Sequence, residues 1–305
     1  MKKTDILSSL KLPVIVAPMF LVSGPELVIA SCKSGLIGSF PGPNARTIDV
    51  LENWMSEISS KLNNEIWAFN MIAHITYDRF EDELALIKKF QPPVVITALG
   101  SPARVLETVH SYGGVVIADV NSVKYAKKCA EYGADGLALV SYGAGGHTGT
   151  LSPFTFTSHV REFFDGLVVL AGSISNGNHI KAAQCLGADI CYMGTRFIAT
   201  EESMAVDEYK EMVTYSESTD LRLTNLFTGA DAYYLKDSII KNGLDPDNLE
   251  TNDAGFNISG SQDKISAWKD IWSAGQGVGF SDKISTVDKI TRKLINEYKS
   301  AGAKL

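Results

Sequence analysis

The chain has 305 residues, 45% of them hydrophobic and 21% charged, which suits one large domain or two smaller ones with a core that needs no disulfide or metal support. A net charge of −7 opposes binding to a phosphate backbone, which calls for a basic patch, and so excludes a nucleic-acid partner. Cys32, Cys129, Cys185 and Cys191 form no C-x-x-C pair, the N-terminal MKKTDILSSL is too polar for a secretory segment, and no run approaches the roughly 18 apolar residues of a membrane span; a cytoplasmic protein with reduced thiols and no membrane partner is expected.

Eight short apolar runs follow one another in the first two thirds: VIVAPM (Val14–Met19), LIGSF (Leu36–Phe40), IWAFNMIAH (Ile66–His74), VVITALG (Val94–Gly100), GVVIADV (Gly114–Val120), GLALVSY (Gly136–Tyr142), LVVLAGSI (Leu167–Ile174) and ICYMGTRF (Ile190–Phe197). Gly or Pro bounds each run and β-branched residues fill it, which predicts buried strands. The segments between them have helical spacing; in VKYAKKCAEYGAD, Val123, Ala126, Cys129 and Ala130 share one face and the lysines lie elsewhere. Strand–helix units repeated in this way pair in parallel through right-handed crossovers and close into a (β/α)8 barrel, with an open doubly wound sheet as the alternative. AEYGADGLALV and QCLGADICYMG echo each other as helix, Gly-Ala-Asp, strand.

After Phe197 the texture becomes polar and helical, with no clear strand, through the turn GLDPDN and the loop NDAGFNISGSQ. Residues 201–275 are therefore expected to form a small helical substrate domain capping a barrel made of residues 1–200 and 276–305. STVDKITRKLINEY restores helical spacing through Val287, Ile290, Leu294, Ile295 and Tyr298. It supplies the last barrel helix, with Ser285 and Asp288 at capping-box distance.

Barrel chemistry sits at the C-terminal ends of the strands. AGSISNG brings Gly172, Ser173 and Gly177 after the seventh strand, and YMGTRF brings Met193, Gly194 and Thr195 to the end of the eighth. These glycines either cradle a phosphate with backbone N–H groups or make tight strand–helix turns. GAGGHTGTLSPF surrounds His147 with glycines at 143, 145, 146 and 149, so that an imidazole able to exchange a proton near neutrality stands on a loop a flat ligand can approach. The bland alternative is a solvated loop histidine. His74 ends the third strand and is a second pocket candidate. No His or Cys spacing points to a metal site. GQGVGF at Gly275–Phe280 is not a dinucleotide fingerprint, and neither a Walker loop nor a G-x-S-x-G elbow occurs.

These motifs resemble the nitronate monooxygenases, formerly 2-nitropropane dioxygenases. The resemblance runs through APM, GSFPGPNAR, FNMIAH, VVITALGSP, GAGGHTGTLSPF, AGSISNG, LGADICYMGTRFIAT, GLDPDN and WSAGQGVG, nearly the whole chain. It implies a barrel that binds FMN through Ala17, Pro18, Met19, Asn70, Gly145, Gly172, Ser173, Met193, Gly194 and Thr195, with Gln276 near the flavin or substrate. His147 matches the family's active-site histidine. The implied partners are a small nitronate or nitroalkane and dioxygen, and the implied products a carbonyl compound and nitrite. The sequence departs from some relatives at Val140 and Ala144. An NAD(P)H-dependent flavin reductase of quinones or enoyl thioesters is the alternative enzyme, and a flavin-binding protein without turnover is the alternative outside catalysis. Oligomeric state stays open, with a homodimer as one candidate.

Overall fold

The computed structural model describes residues 2–252, 261–262 and 265–302. Each of the eight apolar runs contains a strand: β1 (Val14–Val16), β2 (Ile37–Pro41), β3 (Trp67–Ile72), β4 (Val94–Ala98), β5 (Val115–Val120), β6 (Gly136–Val140), then, after a two-residue strand β7 (Gly146–His147), β8 (Leu167–Ala171) and β9 (Ile190–Met193). Leaving out β7, they pair in parallel in that order, and β9 returns to β1 with Ile15 opposite Tyr192, closing the barrel. The open-sheet alternative is thereby removed. Six of the eight strands end before their apolar runs do, because those runs continue into the loops that carry the strand-end residues; β5 ends with its run and β2 one residue beyond it. The tail of the eighth run is a one-turn helix over Thr195–Ile198.

Period-two alternation divides each strand between two cores. Ile15, Ile37, Ala68, Ile96, Ile117, Ala138, Val169, Ala171 and Tyr192 fill the barrel, whose lower end is closed by Ile6, Leu7 and Leu10 from helix α1 (Lys3–Ser9) and the residue after it. The alternate positions, such as Val14, Leu137, Leu139, Val168 and Leu170, pack outward beneath the helices. Those helices are α2 (Pro25–Lys33), α3 (Ile48–Lys61), α4 (Phe80–Phe90), α5 (Ala103–Ser111), α6 (Val123–Glu131), α7 (Pro153–Arg161) and α8 (Gly177–Cys185). The ring is closed by α12 (Val287–Ser300), which packs between α8 and α2, while α9 (Thr195–Ile198), α10 (Asp207–Tyr215) and α11 (Lys236–Lys241) precede it in the chain. The cap of α12 lies one residue beyond the expected capping box: Thr286, rather than Ser285, accepts from the Lys289 N–H.

Residues 201–275 are helical only in part. Besides α10 and α11 they contribute β10 (Leu221–Thr224) and β11 (Ala232–Leu235), which the sequence reading lacked. Both are four-residue antiparallel strands, and β11 pairs onward with β7 through Ala232–His147 and Tyr233–Gly146. In AYYL every residue is buried, so the run shows neither alternation nor a length that separates strand from helix. The loop expected over NDAGFNISGSQ lies largely outside the described residues. Among the described residues no helix is long and apolar enough to cross a membrane.

Candidate active site

The loop after β6 is held from two directions, and its glycines are the reason it can be. Gly275 crosses the loop so closely that a Cβ on it would stand 2.6 Å from the Gly145 nitrogen and 2.8 Å from the Gly143 oxygen. Gln276 N–H donates to the Gly143 carbonyl at 3.0 Å, and Gly146 N–H donates to Ser273 Oγ at 2.9 Å. The Ser273 hydroxyl in turn donates to the Tyr233 carbonyl at 2.6 Å. Gly143 and Gly146 have φ of +85° and +72°, values that favour glycine. Much of this glycine content therefore serves chain crossing within the protein.

His147 ends half-buried between the barrel mouth and the insertion. Its Nε2 lies 3.0 Å from Thr228 Oγ1, and its ring meets Trp268 edge-on at 5.3 Å between centroids. Thr228 Oγ1 also lies 3.1 Å from the Ala230 carbonyl, which can only accept. The single hydroxyl proton goes to that carbonyl, so Nε2 carries a hydrogen and donates to Thr228, leaving the basic lone pair on Nδ1. Burial lowers the imidazole pKa to about 4, and the ring is neutral at neutral pH.

A second group of contacts joins loops that are far apart in sequence. Gln276 Nε2 donates to the Tyr233 hydroxyl at 3.0 Å, and Ser173 Oγ reaches Gln276 Oε1 at 3.5 Å. Tyr142 meets Tyr233 edge-on at 6.0 Å. Burial first, then the neighbouring Tyr142, holds the Tyr233 phenol above its usual range. Of the expected pocket residues, Gln276 thus stands beside the histidine loop. His74 does not join this set; its Nδ1 is paired locally with Thr76 Oγ1 at 2.8 Å, and its carbonyl accepts from Arg104 at 2.9 Å.

The strand ends around the mouth are lined by small residues. Ala17, Ala144, Val140 and Ala171 belong to the upper part of the barrel cluster. Asn70 is buried, its Nδ2 donating to the Ile96 carbonyl at 3.3 Å, while Ala17, Pro18 and Met19 are half-open. At the expected phosphate end, Gly172 and Ser173 have successive positive φ values of +121° and +57°, a backbone turn in which successive N–H groups can converge on an anion. Gly194 and Thr195 are half-open beside them, and Thr195 Oγ1 accepts from the Gly275 N–H at 2.8 Å. Met193 turns its side chain into the outer core, leaving only backbone at the mouth.

One expected cradle residue is excluded. The Gly177 N–H donates to the Glu297 carboxylate at 2.9 Å, and a Cβ at 177 would overlap the backbone of Leu294 and Tyr298 on α12. That glycine packs α8 against α12 and does not face a ligand.

The sequence offers Tyr233 as a pocket-shaping residue and Trp268 as small-domain core or a wall of the cleft, but Thr228 and Tyr142 are passed over. Its one accessible signal was the Asn-Leu-Phe-Thr-Gly turn ahead of AYYL, a turn followed by β-forming residues. Two buried polar atoms at the mouth fit an occupant with polar edges: Asp119 Oδ1 and the Tyr192 hydroxyl have no hydrogen-bond partner. Small walls, unsatisfied polar atoms and a paired backbone turn suit a flat, phosphorylated ring system such as a flavin mononucleotide.

A family model described as nitronate monooxygenase matches residues 43–297. A protein named "Probable nitronate monooxygenase" from Staphylococcus haemolyticus is 25% identical over 278 residues, covering 83% of this chain and 75% of that protein. The "(3aS,4S,5R,7aS)-5-hydroxy-7a-methyl-1-oxo-octahydro-1H-indene-4-carboxyl-CoA dehydrogenase" of Rhodococcus jostii is 29% identical over 198 residues; the match covers 65% of this chain but only 55% of that enzyme. Among solved structures, a FabK mutant from Thermotoga maritima is 26% identical with a TM-score of 0.82, covering 99% of this chain and 96% of that one. The nitroalkane oxidase of Streptomyces ansochromogenes, 22% identical with a TM-score of 0.83 and coverage of 98% and 99%, shares the fold.

Proposed function

Because the chain belongs to the nitronate monooxygenase family, we propose that it is a flavin-dependent oxidoreductase that binds FMN and oxidises alkyl nitronates with dioxygen, giving carbonyl compounds and nitrite. The observation that carries this reading is a neutral imidazole, fixed by Thr228 and Trp268, on a loop tied to Gln276 beside an alanine-lined barrel mouth. Bound FMN would supply the electron-transfer chemistry; Ala17, Pro18, Met19, Asn70, Gly145, Gly172, Ser173 and the backbone at Met193, Gly194 and Thr195 would hold it.

The chain's own contribution is to bind and orient the anion. With the Nε2 hydrogen of His147 given to Thr228, a second proton on the ring would turn it into an imidazolium. A nitronate arriving beside the ring favours the imidazolium, and binding draws one proton from solvent onto His147. A base with a pKa near 4 in the resting site is poorly matched to removing a carbon proton from a neutral nitroalkane. Preformed nitronates are therefore the preferred substrates. The walls from Tyr142, Tyr233 and Trp268 shield the anion from water, and Gln276 offers an amide to its oxygens.

The test is nitrite release from purified, flavin-loaded protein given a nitronate or the matching neutral nitroalkane. His147→Asn should lose at least tenfold in kcat/KM on the nitronate. Near wild-type rates in the variant on both forms would remove this role. A second reading has a specific ground: the relative named for a carboxyl-CoA substrate supports a flavin reductase or dehydrogenase of thioesters. Rapid flavin bleaching by NADH or NADPH without oxygen would favour it.

A further inference from the structure

Asp119 stands where the strand pattern turns it into the barrel. On β5 its alternation partners Val115 and Ile117 belong to the barrel core, and its register partner on β6 is Ala138, another inward residue. It is the last inward position of that strand, at the mouth. The residue is half-buried, yet its Oδ1 is sealed from water without a hydrogen-bond partner. Across the mouth Tyr192 of β9, 8% exposed, carries a hydroxyl in the same condition. A carboxyl and a phenol left unsatisfied together are costly unless something else completes their bonding.

Resting on the FMN reading above, we propose that Asp119 is a positioning residue of the flavin site, facing the ring with Tyr192 across the mouth from it and taking up or releasing one proton in step with the ring's charge. Among the described residues no cation is seen to offset a carboxylate at this position. Burial alone raises the Asp119 pKa, to about 7. The titratable groups that feel its charge are phenols, Tyr192 from β9 and Tyr125 from α6, whose hydroxyl is bonded to the Gly100 carbonyl. Both are pushed up and stay neutral: Tyr192 by burial and then the Asp119 charge, Tyr125 by burial and then the neighbouring Cys129, with Asp119 adding least. Asp119 is thus the group in this set that can change charge near neutrality.

The consequence has a definite sign. An unpaired carboxylate beside the ring opposes added electron density; a carboxylic acid does not, and can donate a hydrogen bond. Above neutrality, two-electron reduction, with electrons from the nitronate or from dithionite, is accompanied by one extra proton from bulk water to Asp119. Below neutrality that proton is already present.

The experiment is a dithionite titration of FMN-loaded wild type, Asp119→Asn and Tyr192→Phe against a reference dye at pH 6 and pH 8. The Asn variant should have a more positive midpoint potential than wild type at pH 8, and the two should converge at pH 6. A constant gap at both pH values, or none, overturns the proposal. The wild-type potential alone should bend near neutral pH, a readout that needs no variant to fold. Tyr192→Phe should move the bend and keep it; an unmoved bend would overturn the pairing. A separate measurement needs no flavin: the infrared difference between flavin-free wild type and Asp119→Asn should show a carboxylic-acid carbonyl band at pH 6 that is gone by pH 8, and its absence at pH 6 overturns the assignment. Protein that binds no FMN would remove the cofactor reading and this role with it, whereas FMN bound with a pH-independent gap removes this role alone.

Discussion

His147 gains its character from two neighbours and from lost solvent. Thr228 takes the Nε2 hydrogen, Trp268 packs against the ring edge, and burial disfavours the charged form. Thr228→Val would leave Nε2 without its acceptor and free the ring to turn. We expect a fall in kcat/KM of about 3- to 30-fold, or roughly 0.7–2 kcal/mol, with flavin binding unchanged, measured by steady-state nitrite release. The acid response follows from linkage. The folded pKa of about 4 lies below the unfolded value of about 6.5. The unfolded chain therefore binds the extra proton as pH falls from about 6.5 to 4, and native stability drops across that window. Urea midpoints measured from pH 7 to pH 4 should fall less in His147→Asn than in wild type; parallel curves would contradict the assigned shift.

Among the elements, glycines at two crossings do different work. Gly177 lets α8 approach α12, and a methyl group there would overlap the Tyr298 and Leu294 backbone. Gly177→Ala should cost about 1–3 kcal/mol or more as the helices part, lowering Tm while the remaining folded protein keeps its flavin spectrum. Gly275 lets the segment before Gln276 cross the histidine loop. Gly275→Ala should instead displace His147 and Gln276 together, so that kcat/KM falls much further than Tm. Comparing thermal melts with nitrite assays separates the two cases. The three-stranded sheet β10–β11–β7 explains why the loop is sensitive: His147 is itself a strand residue, paired with Ala232.

Across the whole molecule, the proposed flavin site draws on loops from both ends of the chain, and a ligand bound there would stabilise the fold by mass action. FMN at about 100 times its Kd should add about 2.7 kcal/mol and raise Tm, and riboflavin, which lacks the phosphate, should add much less. Equal shifts would remove the phosphate cradle at Gly172–Ser173 and Gly194–Thr195. The barrel was legible in the chain because parallel strands buried on both faces must be continuous apolar runs, and the eight runs from VIVAPM to ICYMGTRF are spaced by helical segments. His147 was legible because glycines crowd around it and because its motif resembles a family. The insertion's strands were not: AYYL is four buried residues with no alternation, and its partner β7 is a glycine and a histidine at a distant point of the chain. Local pattern thus determined the strands, helices and histidine loop, since each depends on neighbours in sequence. Only the tertiary structure decided which nitrogen of His147 holds a hydrogen, that Gly177 serves a helix crossing, and that Asp119 and Tyr192 share the mouth without partners. Those are properties of groups tens of residues apart, set by burial and approach distances that no single segment encodes.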